Sequence, residues 1–364
     1  MVVTGGGTGG HIYPALAVAE ALKTAIASVD VQYVGGREGM EAQIVPPTGI
    51  PCYLVSSKKL RRILSPSTAG VLFSLCQGYV QAAEFLRKFR PDVVISTGGY
   101  MAAATALAAA RQRIPTIIQE YNAFPGRTNR WLSRWATRIC VWFDKTRKEF
   151  PPDRTVTTGV PLRADIVSTM QTQDAREAMG LDTEAFTIVV IGGSQGARRV
   201  NELVVDMIPR LSADIQVFHQ TGTANLPQVQ ERMRSVKLTG TKYHVRAYLN
   251  AEEITTAYRA ADLIICRCGI STLAEAAVNS LPMLMIPLPS AYADHQTANA
   301  RVIEDSGAGI HLPEATLTAE SLALQIGELR RDQARRLQMS AAARSISKPN
   351  AAVDVATLAS ELAG

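Results

Sequence analysis

Residues 4–11 read Thr4-Gly5-Gly6-Gly7-Thr8-Gly9-Gly10-His11, and they follow a short apolar run, Val2-Val3. A strand that passes through consecutive glycines into a helix is the βα turn of a doubly wound α/β fold. The glycines leave backbone N–H groups open at the first turn of the helix, where the helix dipole favours an anion. The stretch therefore predicts an α/β fold with a phosphate-binding turn.

Two further loops repeat this arrangement. They read Ser96-Thr97-Gly98-Gly99-Tyr100 and Ile191-Gly192-Gly193-Ser194-Gln195-Gly196-Ala197-Arg198, and each follows an apolar run. One such loop alone is as consistent with a tight structural turn as with a binding site. Three loops, two of them at matching places in two halves of the chain, favour a site for a diphosphate.

Apolar, strand-like runs alternate with helical stretches along most of the chain, which predicts parallel sheets with crossover helices. We predict strands at 31–34, 93–96, 116–119, 139–142, 187–191, 216–220, 244–247, 263–266 and 283–286, and helices that include 15–27 and 101–110. The predicted fold class is α/β, with two Rossmann-like doubly wound domains that face a cleft. The predicted domains are 1–158, 159–342 and a C-terminal helical segment, 343–364, for which a return to the N-terminal domain is one possibility.

Size and composition suit this architecture, since 364 residues with 47% hydrophobic content can form two domains with separate cores. No signal peptide precedes the first strand, although that strand is short enough to suggest further residues upstream. The five cysteines are scattered through apolar segments without metal-ligand spacing, which favours structural thiols in a reducing, cytoplasmic compartment.

The charge is uneven along the chain. Residues 1–158 hold 19 Lys and Arg against 10 Asp and Glu, whereas residues 159–364 hold 19 against 22. A basic half suggests an anionic surface as partner, and nothing resembles a nucleic-acid module. We therefore expect a membrane surface and no nucleic acid.

One segment of the basic half has the length of a membrane span but too many polar residues. It runs without a charge from Ile63 to Ala83 and follows Lys58-Lys59-Leu60-Arg61-Arg62. A helix places Leu72, Leu75 and Tyr79 on one face, which predicts an interfacial patch on anionic lipid. A core helix remains the alternative.

The first loop formally matches the dinucleotide fingerprint, but the strand that follows it in the chain carries no carboxylate for a ribose. A ribose acceptor is available in the second half instead. There, Cys268-Gly269-Ile270-Ser271-Thr272-Leu273-Ala274-Glu275 follows an apolar strand. Ser271 is predicted to cap the next helix, with Glu275 one turn in, and a plain capping arrangement is the alternative.

Motifs along the whole chain resemble those of one known family: residues 6–17 (GGTGGHIYPALA), 39–41 (GME), 97–100 (TGGY), 120–122 (EYN), 193–198 (GSQGAR), 267–275 (RCGISTLAE) and 294–300 (DHQTANA). With them the chain resembles the MurG family, the bacterial N-acetylglucosaminyltransferases that convert lipid I to lipid II in peptidoglycan synthesis. Four positions depart from the family pattern. Residues 119–122 read Gln-Glu-Tyr-Asn where His-Glu-Gln-Asn is common, Val160 replaces a common Asn, and Cys268 a frequent Ser, so any role of that His is void here.

The resemblance implies a GT-B fold and an inverting, metal-independent transfer without cofactor. The donor would be UDP-N-acetylglucosamine, and the acceptor the C4 hydroxyl of lipid I, the undecaprenyl-pyrophosphoryl-N-acetylmuramyl-pentapeptide. It implies a peripheral protein on the cytoplasmic face of the bacterial plasma membrane, with other cell-wall synthesis proteins as candidate partners.

Substrate-binding residues carried over from the family are Thr8, Gly9, Gly10, Asn122, Arg163, Ser194, Leu249, Ile270, Ser271, Thr272, Leu273, Ala274, Glu275 and Gln296. Glu275 would hold the ribose and Gln296 the sugar hydroxyls. Because no Asp-x-Asp metal motif occurs, helix N-termini and Arg163 or Arg198 would neutralise the leaving diphosphate.

The loops of the basic half, with Gly98, Gly99 and Tyr100, are expected to bind the acceptor's pyrophosphate. His11 is the candidate general base, because an unperturbed imidazole titrates near neutral pH. The alternative is that His11 braces the loop or binds acceptor phosphate.

Two other function classes stay open at this point. Another GT-B enzyme that uses a UDP-sugar, such as a lipid glycosyltransferase or an epimerase, would share the glycine loops. A non-catalytic subunit would bind the UDP-sugar without acceptor-dependent release of UDP.

Overall fold

The computed structural model of the chain describes residues 1–57, 67–193, 196–236 and 240–364, and of residues 67–72 and 100–101 it describes the backbone alone. The chain forms two compact units. The first comprises Met1–Arg163 and Lys348–Gly364, and the second comprises Ala164–Ser347. The first boundary thus lies slightly after the predicted one, and the C-terminal helix belongs to the first unit.

The first unit is built on a seven-stranded parallel sheet with the order β3-β2-β1-β4-β5-β6-β7. Its strands are β1 Val2–Thr4, β2 Gln32–Gly36, β3 Cys52–Val55, β4 Val94–Ser96, β5 Thr116–Glu120, β6 Arg138–Val141 and β7 Thr155–Thr157. Its helices are α1 Gly9–Ala25, α2 Glu41–Ile44, α3 Ser67–Phe89, α4 Tyr100–Arg111, α5 Arg127–Leu132, α6 Asp144–Arg147 and α15 Ala351–Ala363.

Helices cover both faces of this sheet, and the alternation of side chains along each strand explains why. Val3 and Ile95 pack on one face into the core that contains α1 and α15. Their neighbours Val2 and Val94 pack on the other face against α3 and α4. Successive strand residues point to opposite faces, so a strand buried on both sides is continuously apolar.

The second unit is built on a six-stranded parallel sheet with the order β10-β9-β8-β11-β12-β13. Its strands are β8 Phe186–Ile191, β9 Ile215–Gln220, β10 Lys242–Arg246, β11 Leu263–Cys266, β12 Met283–Met285 and β13 Gly309–His311. Its helices are α7 Thr172–Ala178, α8 Arg198–Met207, α9 Leu226–Arg234, α10 Ala251–Ala260, α11 Ile270–Val278, α12 His295–Asp305, α13 Ala319–Arg331 and α14 Gln333–Ile346.

The predicted fold class is confirmed, and every predicted strand occurs close to its predicted place. Three strands were not predicted: β3, β7 and β13. All three lie at sheet edges, are three or four residues long and are partly exposed. An edge strand covered on few sides needs no long apolar run, so its sequence carries a weak signal.

The predicted membrane patch needs a correction on helix α3. Leu75 and Tyr79 are only partly exposed, and Tyr79 packs against the core. Among the described side chains of this helix, the large apolar ones that are most exposed are Phe73, 71% exposed, and Val80, 60% exposed. Leu75 and Tyr79 present less surface than predicted because the apolar stripe of an amphipathic helix faces the protein core first, and the membrane contact stays a prediction.

The other predictions for this segment concern residues that lie partly outside the described part of the chain. The side chain of Leu72 and the basic run 58–62 lie there. Among the residues that the structure does describe, no helix has both the length and the apolar character needed to cross a membrane.

Candidate active site

Two of the three predicted glycine loops follow adjacent strands of the first sheet. The first loop leaves β1 and the second leaves β4, and these strands pair with Thr4 beside Ser96. The strand order changes direction between β1 and β4, because β2 and β3 lie on one side and β5 to β7 on the other. In open parallel sheets, ligands bind outside the carboxyl ends of the strands at such a switch point.

His11 lies between these two loops in a defined orientation. Its Nδ1 lies 2.8 Å from the carbonyl oxygen of Thr97, and the Thr97 hydroxyl donates to the His11 carbonyl at 2.6 Å. Since a carbonyl oxygen can only accept, Nδ1 carries the proton, and the lone pair of the neutral ring is on Nε2. The tautomer is therefore the one that a general base at Nε2 requires.

The second loop can approach the imidazole only because it consists of glycine. Gly98 and Gly99 have φ values of 95° and 86°. A Cβ on Gly98 would lie 3.1 Å from His11 Cε1, and a Cβ on Gly99 would lie 2.2 Å from the carbonyl oxygen of Gly6. The two loops therefore contact each other and enclose the ring. The side chain of Tyr100 lies outside the described residues.

The buried carboxylate of Glu41 binds a backbone amide of the first loop. Glu41 is 0% exposed, and its carboxylate accepts from the amides of Gly36 at 2.9 Å and Gly7 at 3.2 Å. A Cβ on Gly6 would lie 2.4 Å from Glu41 Oε1. One amide of the loop is thus already bound to an anion of the chain itself. Glu41 belongs to the motif of residues 39–41, but its contact with the first loop was not predicted.

A second buried carboxylate positions Asn122. Glu120 Oε1 accepts from both the backbone and the side-chain amide of Asn122 at 3.0 Å, and Glu120 Oε2 accepts from Gly126 at 2.9 Å and Asn129 at 3.0 Å. Asn129 is buried and lies near the Gly98 position. The sequence did not predict this role of Asn129, because the residue lies in the polar helix α5 and belongs to no motif.

The second unit repeats the switch point. The third loop leaves β8 and the loop at Gly269 leaves β11, and these strands pair with Ile191 beside Cys266. β9 and β10 lie on one side of this pair, and β12 and β13 lie on the other. A Cβ on Gly193 or on Gly269 would meet no atom of the described residues within 4 Å. The backbone at both glycines is therefore accessible to a ligand. Ser194 lies outside the described residues.

The first turn of helix α11 differs from the prediction. The N-cap is Gly269, without a side-chain cap, so Ser271 lies inside the first turn. Its hydroxyl oxygen is buried and has no hydrogen-bond partner among the described residues. Glycine replaces the predicted cap because its open backbone leaves the first amides of the helix to an external anion.

The other residues of the predicted 270–275 run have different surroundings. The side chains of Leu273 and Ala274 are buried in the core. The amide of Leu273 donates to the carbonyl of Gly269 at 3.2 Å, so the accessible amides are those of Ile270, Ser271 and Thr272.

Glu275 and Gln296 are held in place by neighbouring groups. The hydroxyl of Tyr258 donates to Glu275 Oε2 at 2.6 Å. The side-chain oxygen of Gln296 accepts from the amides of Cys268 at 3.2 Å and Leu288 at 2.9 Å. These bonds fix the side-chain oxygen of Gln296 between two loops. Tyr258 had not been predicted.

Leu249 lies in the segment after β10 and is buried. Gln220 connects this segment to the third loop, because its side-chain amide lies 3.4 Å from the carbonyls of both Gly193 and Ala247. Arg163 ends the first unit. The side chain of Arg198 is 72% exposed and pairs with Glu202 at 3.1 Å.

A neutral network supports helix α8, which follows the third loop. His219 contacts the hydroxyl of Tyr243 at 2.9 Å and Oδ1 of Asn201 at 3.0 Å. The side-chain amide of Asn201 in turn donates to the carbonyl of Thr221 at 2.9 Å. Burial lowers the pKa of His219 to about 3, so the ring is neutral at physiological pH.

Metal ligands are not grouped in the parts of the chain that the structure describes. In those parts no set of three or more His, Cys, Asp or Glu side chains is placed to hold a metal ion. All five cysteines are free thiols.

Two Rossmann-like units with glycine loops at their switch points define the GT-B class of glycosyltransferases. The profile of the glycosyltransferase family 28 N-terminal domain matches residues 1–141, and that of the C-terminal domain matches residues 187–356. The chain is 37% identical to the "UDP-N-acetylglucosamine--N-acetylmuramyl-(pentapeptide) pyrophosphoryl-undecaprenol N-acetylglucosamine transferase" of Desulforudis audaxviator, over 100% of this chain and 98% of that protein.

Solved structures agree with these matches. The crystal structure of MurG from Acinetobacter baumannii has a TM-score of 0.80 and 31% identity, with 99% of each chain covered. The UDP-GlcNAc 2-epimerase of Neisseria meningitidis has a TM-score of 0.68 but 14% identity over 98% of this chain and 99% of that one, which shows the fold alone. The chain belongs to the MurG family.

Proposed function

We propose that this chain transfers N-acetylglucosamine from UDP-N-acetylglucosamine to lipid I and so forms lipid II. Two observations carry the proposal: each unit has a helix that begins at a glycine loop at its switch point, and full-length relatives are named for this transfer. The reaction needs a donor site and an acceptor site, and each unit provides one. This conclusion favours the main hypothesis over the epimerase and the non-catalytic subunit.

The donor diphosphate binds at the second unit. The amides of Ile270 to Thr272 and the hydroxyl of Ser271 supply donors, and Gly193 and Gly269 allow close approach. Glu275, oriented by Tyr258, accepts from the ribose hydroxyls, and the NH2 group of Gln296 donates to the sugar. The helix dipole stabilises the charge that develops on the leaving UDP, so the proposed transfer needs no metal ion.

The acceptor binds at the first unit, with His11 as general base. Nε2 takes the proton of the C4 hydroxyl while its oxygen attacks C1 of N-acetylglucosamine. The bond from C1 to the UDP oxygen breaks, UDP leaves with the electron pair, and the configuration at C1 inverts. The Thr97 carbonyl holds Nδ1–H and stabilises the imidazolium that forms.

Release of UDP from UDP-N-acetylglucosamine tests the proposal, measured with a lipid I analogue, without acceptor, and with EDTA. We expect acceptor-dependent release that EDTA does not reduce. Release that does not depend on the acceptor would contradict the transfer. Loss of activity in EDTA would contradict only metal independence.

We also propose that the first unit binds an anionic membrane surface through helix α3. Phe73 and Val80 are exposed on one face of this helix, and the first half of the chain is basic. We expect salt-sensitive sedimentation with vesicles of phosphatidylglycerol, which the change of Phe73 and Val80 to Ser weakens. Equal sedimentation of this variant would contradict the assigned face.

A further inference from the structure

The second unit has a groove at the end of its sheet opposite to the glycine loops. It is lined by residues that directly precede β11 and β12, Asp262 and Pro282, and by the C-terminal end of helix α11. Helix α11 starts at the donor site and is roughly 13 Å long at 1.5 Å per residue. The cavity volume of about 520 Å³ is in the usual range for small-molecule sites.

Positive charge dominates the lining. Arg259, Arg336 and Arg344 line the groove, whereas Asp262 is the one carboxylate among the described residues that do so. Asp262 Oδ2 already accepts from Arg176 at 2.7 Å and from the amide of Thr187 at 2.8 Å. Its charge is therefore compensated outside the groove, and the three arginines retain a net positive charge for a ligand.

Two of the guanidinium groups are bound to the protein through their Nε atoms. Arg259 Nε donates to the carbonyl of Met170 at 2.5 Å, and Arg344 Nε donates to the hydroxyl of Ser280 at 3.2 Å. The terminal nitrogens of each group remain as a planar pair of donors. A guanidinium that is fixed before binding loses little conformational entropy when it binds an anion.

Ser280 is the strained residue of this groove. Its φ of 56° is in the left-handed region, directly after helix α11, where glycine is the usual residue. A non-glycine side chain in this conformation is strained. Serine at this position retains a hydroxyl in the groove that glycine would lack, and that hydroxyl positions Arg344.

Arg336 is the third arginine that lines the groove. It donates to the carbonyl of Arg330 at 2.8 Å, and its guanidinium lies 5.0 Å from the centre of the Phe186 ring. Burial lowers the pKa of Arg336, and Arg330 lowers it further, against the opposing effect of Asp262. An anion in the groove would relieve this destabilisation of the cation.

We propose that this groove is a second anion site, which binds a molecule bearing a phosphate or diphosphate group. Arginine forks match phosphate oxygens in pairs, and the hydroxyls of Ser168, Thr172 and Ser340 supply further donors. Tyr258 lines this groove and also donates to Glu275, but the amides of Ile270 to Thr272 do not line it. The proposal does not depend on the proposed transfer reaction.

Titration with inorganic pyrophosphate by isothermal calorimetry tests the site in a Gly269→Ala background, where the added Cβ obstructs the donor loop. The variants are Arg259→Gln and Arg344→Gln. Arg335→Gln is the matched control, because this exposed arginine is on the same helix as Arg344 but does not line the groove. Arg336 stays unchanged because it also contacts Phe186.

We expect Gly269→Ala to bind one equivalent of pyrophosphate, and each groove variant to weaken this binding by about tenfold or more. The control should bind like Gly269→Ala itself. Absence of pyrophosphate binding in Gly269→Ala would overturn the proposal, and so would equal weakening in Arg335→Gln. Competition by phosphatidylglycerol vesicles would assign the phosphate to a lipid headgroup, and its absence would assign it to a soluble ligand.

A chain that is inactive in the UDP-release assay can still bind pyrophosphate here. The two proposals therefore fail independently.

Discussion

The glycine loops of the two units share a sequence pattern but differ in what occupies them. In the first unit, the buried carboxylate of Glu41 accepts hydrogen bonds from the amides of Gly7 and Gly36. In the second unit, the space beside Gly193 and Gly269 holds no atom of the described residues within 4 Å. Gly6 and Gly7 accommodate a side chain of the protein itself, whereas Gly193 and Gly269 leave room for a ligand.

This difference shows that a glycine loop after a strand predicts close approach, not the identity of the approaching group. We expected the loops to bind two diphosphates, one in each domain. In the first unit, fewer backbone amides are available for this binding than expected. The Gly7 amide is bound to Glu41, so a pyrophosphate there has the first turn of helix α1 as its binding group. The donor assignment of the second unit gains support from the same comparison.

The largest expected effect is that of His11→Ala, because it removes the group that the first unit contributes to the chemistry. We expect kcat for UDP release to fall about 100- to 10,000-fold with little change in donor KM. His311→Ala, on the edge strand β13, is the control. Near-normal turnover in His11→Ala would show that this residue only braces the loop.

Alanine at one glycine of each unit tests the comparison itself. Gly269 has an ordinary φ of −67° and open space, so Gly269→Ala should fold normally. Its Cβ would occupy the approach of the diphosphate and cost one or two charge-assisted hydrogen bonds. We expect donor KM to rise about 10- to 100-fold. Gly327→Ala, within helix α13, is the control for folding and donor KM.

Gly6→Ala should behave in the opposite way. Its Cβ would lie 2.4 Å from Glu41 Oε1, so we expect a lower Tm in addition to any kinetic change. Equal Tm values for the Gly6 and Gly269 variants would contradict the difference between the first loop, which Glu41 contacts, and the loop at Gly269, which is open.

The sequence predicted the sheets and their loops because buried parallel strands need continuous apolar runs, and the turns after them need glycine. It did not predict β3, β7 or β13, whose edge positions remove that need. It also assigned Ser271 as the N-cap of helix α11, whereas the N-cap is Gly269, two residues earlier. A serine at the N-cap and a serine in the first turn give nearly the same sequence pattern.

The supporting residues of the site were harder to predict. Glu41, Asn129 and Tyr258 act through partners that are distant in sequence: Glu41 contacts Gly7, Asn129 contacts Glu120, and Tyr258 contacts Glu275. Such pairs form only when the fold brings elements together, and neither periodicity nor a local motif reports them. The groove arginines likewise occur in ordinary helical sequence.

A smaller effect is expected for Glu41→Gln, which tests whether the first loop requires a carboxylate. The amide NH2 of Gln would face a backbone donor in a buried position, so we expect a loss of about 1–3 kcal/mol in the free energy of unfolding. Acceptor KM should rise while donor KM stays unchanged. Glu38→Gln, which is exposed in the same segment, is the control. An unchanged Tm would mean that the loop does not depend on this charge.

The smallest effect concerns the neutral support of the second unit, in contrast to the charged support of the first. Burial lowers the pKa of His219 to about 3, below its ordinary value of about 6.5 in the unfolded chain. Its contribution to stability is therefore complete above pH 6.5 and decreases as the pH falls from 6.5 toward 3. At pH 5.5 this amounts to a loss on the order of 1 kcal/mol relative to pH 7.5.

Urea unfolding at the two pH values measures this loss in wild type and in His219→Gln. The variant should show a smaller decrease between pH 7.5 and 5.5, whatever its absolute stability, because Gln does not titrate. His244→Gln is the matched comparison, since burial also lowers the pKa of His244, together with Arg246 and Lys242, but this side chain is only partly buried. If His219→Gln kept the full acid dependence, the neutral network behind helix α8 would not be the pH-sensitive element of the second unit.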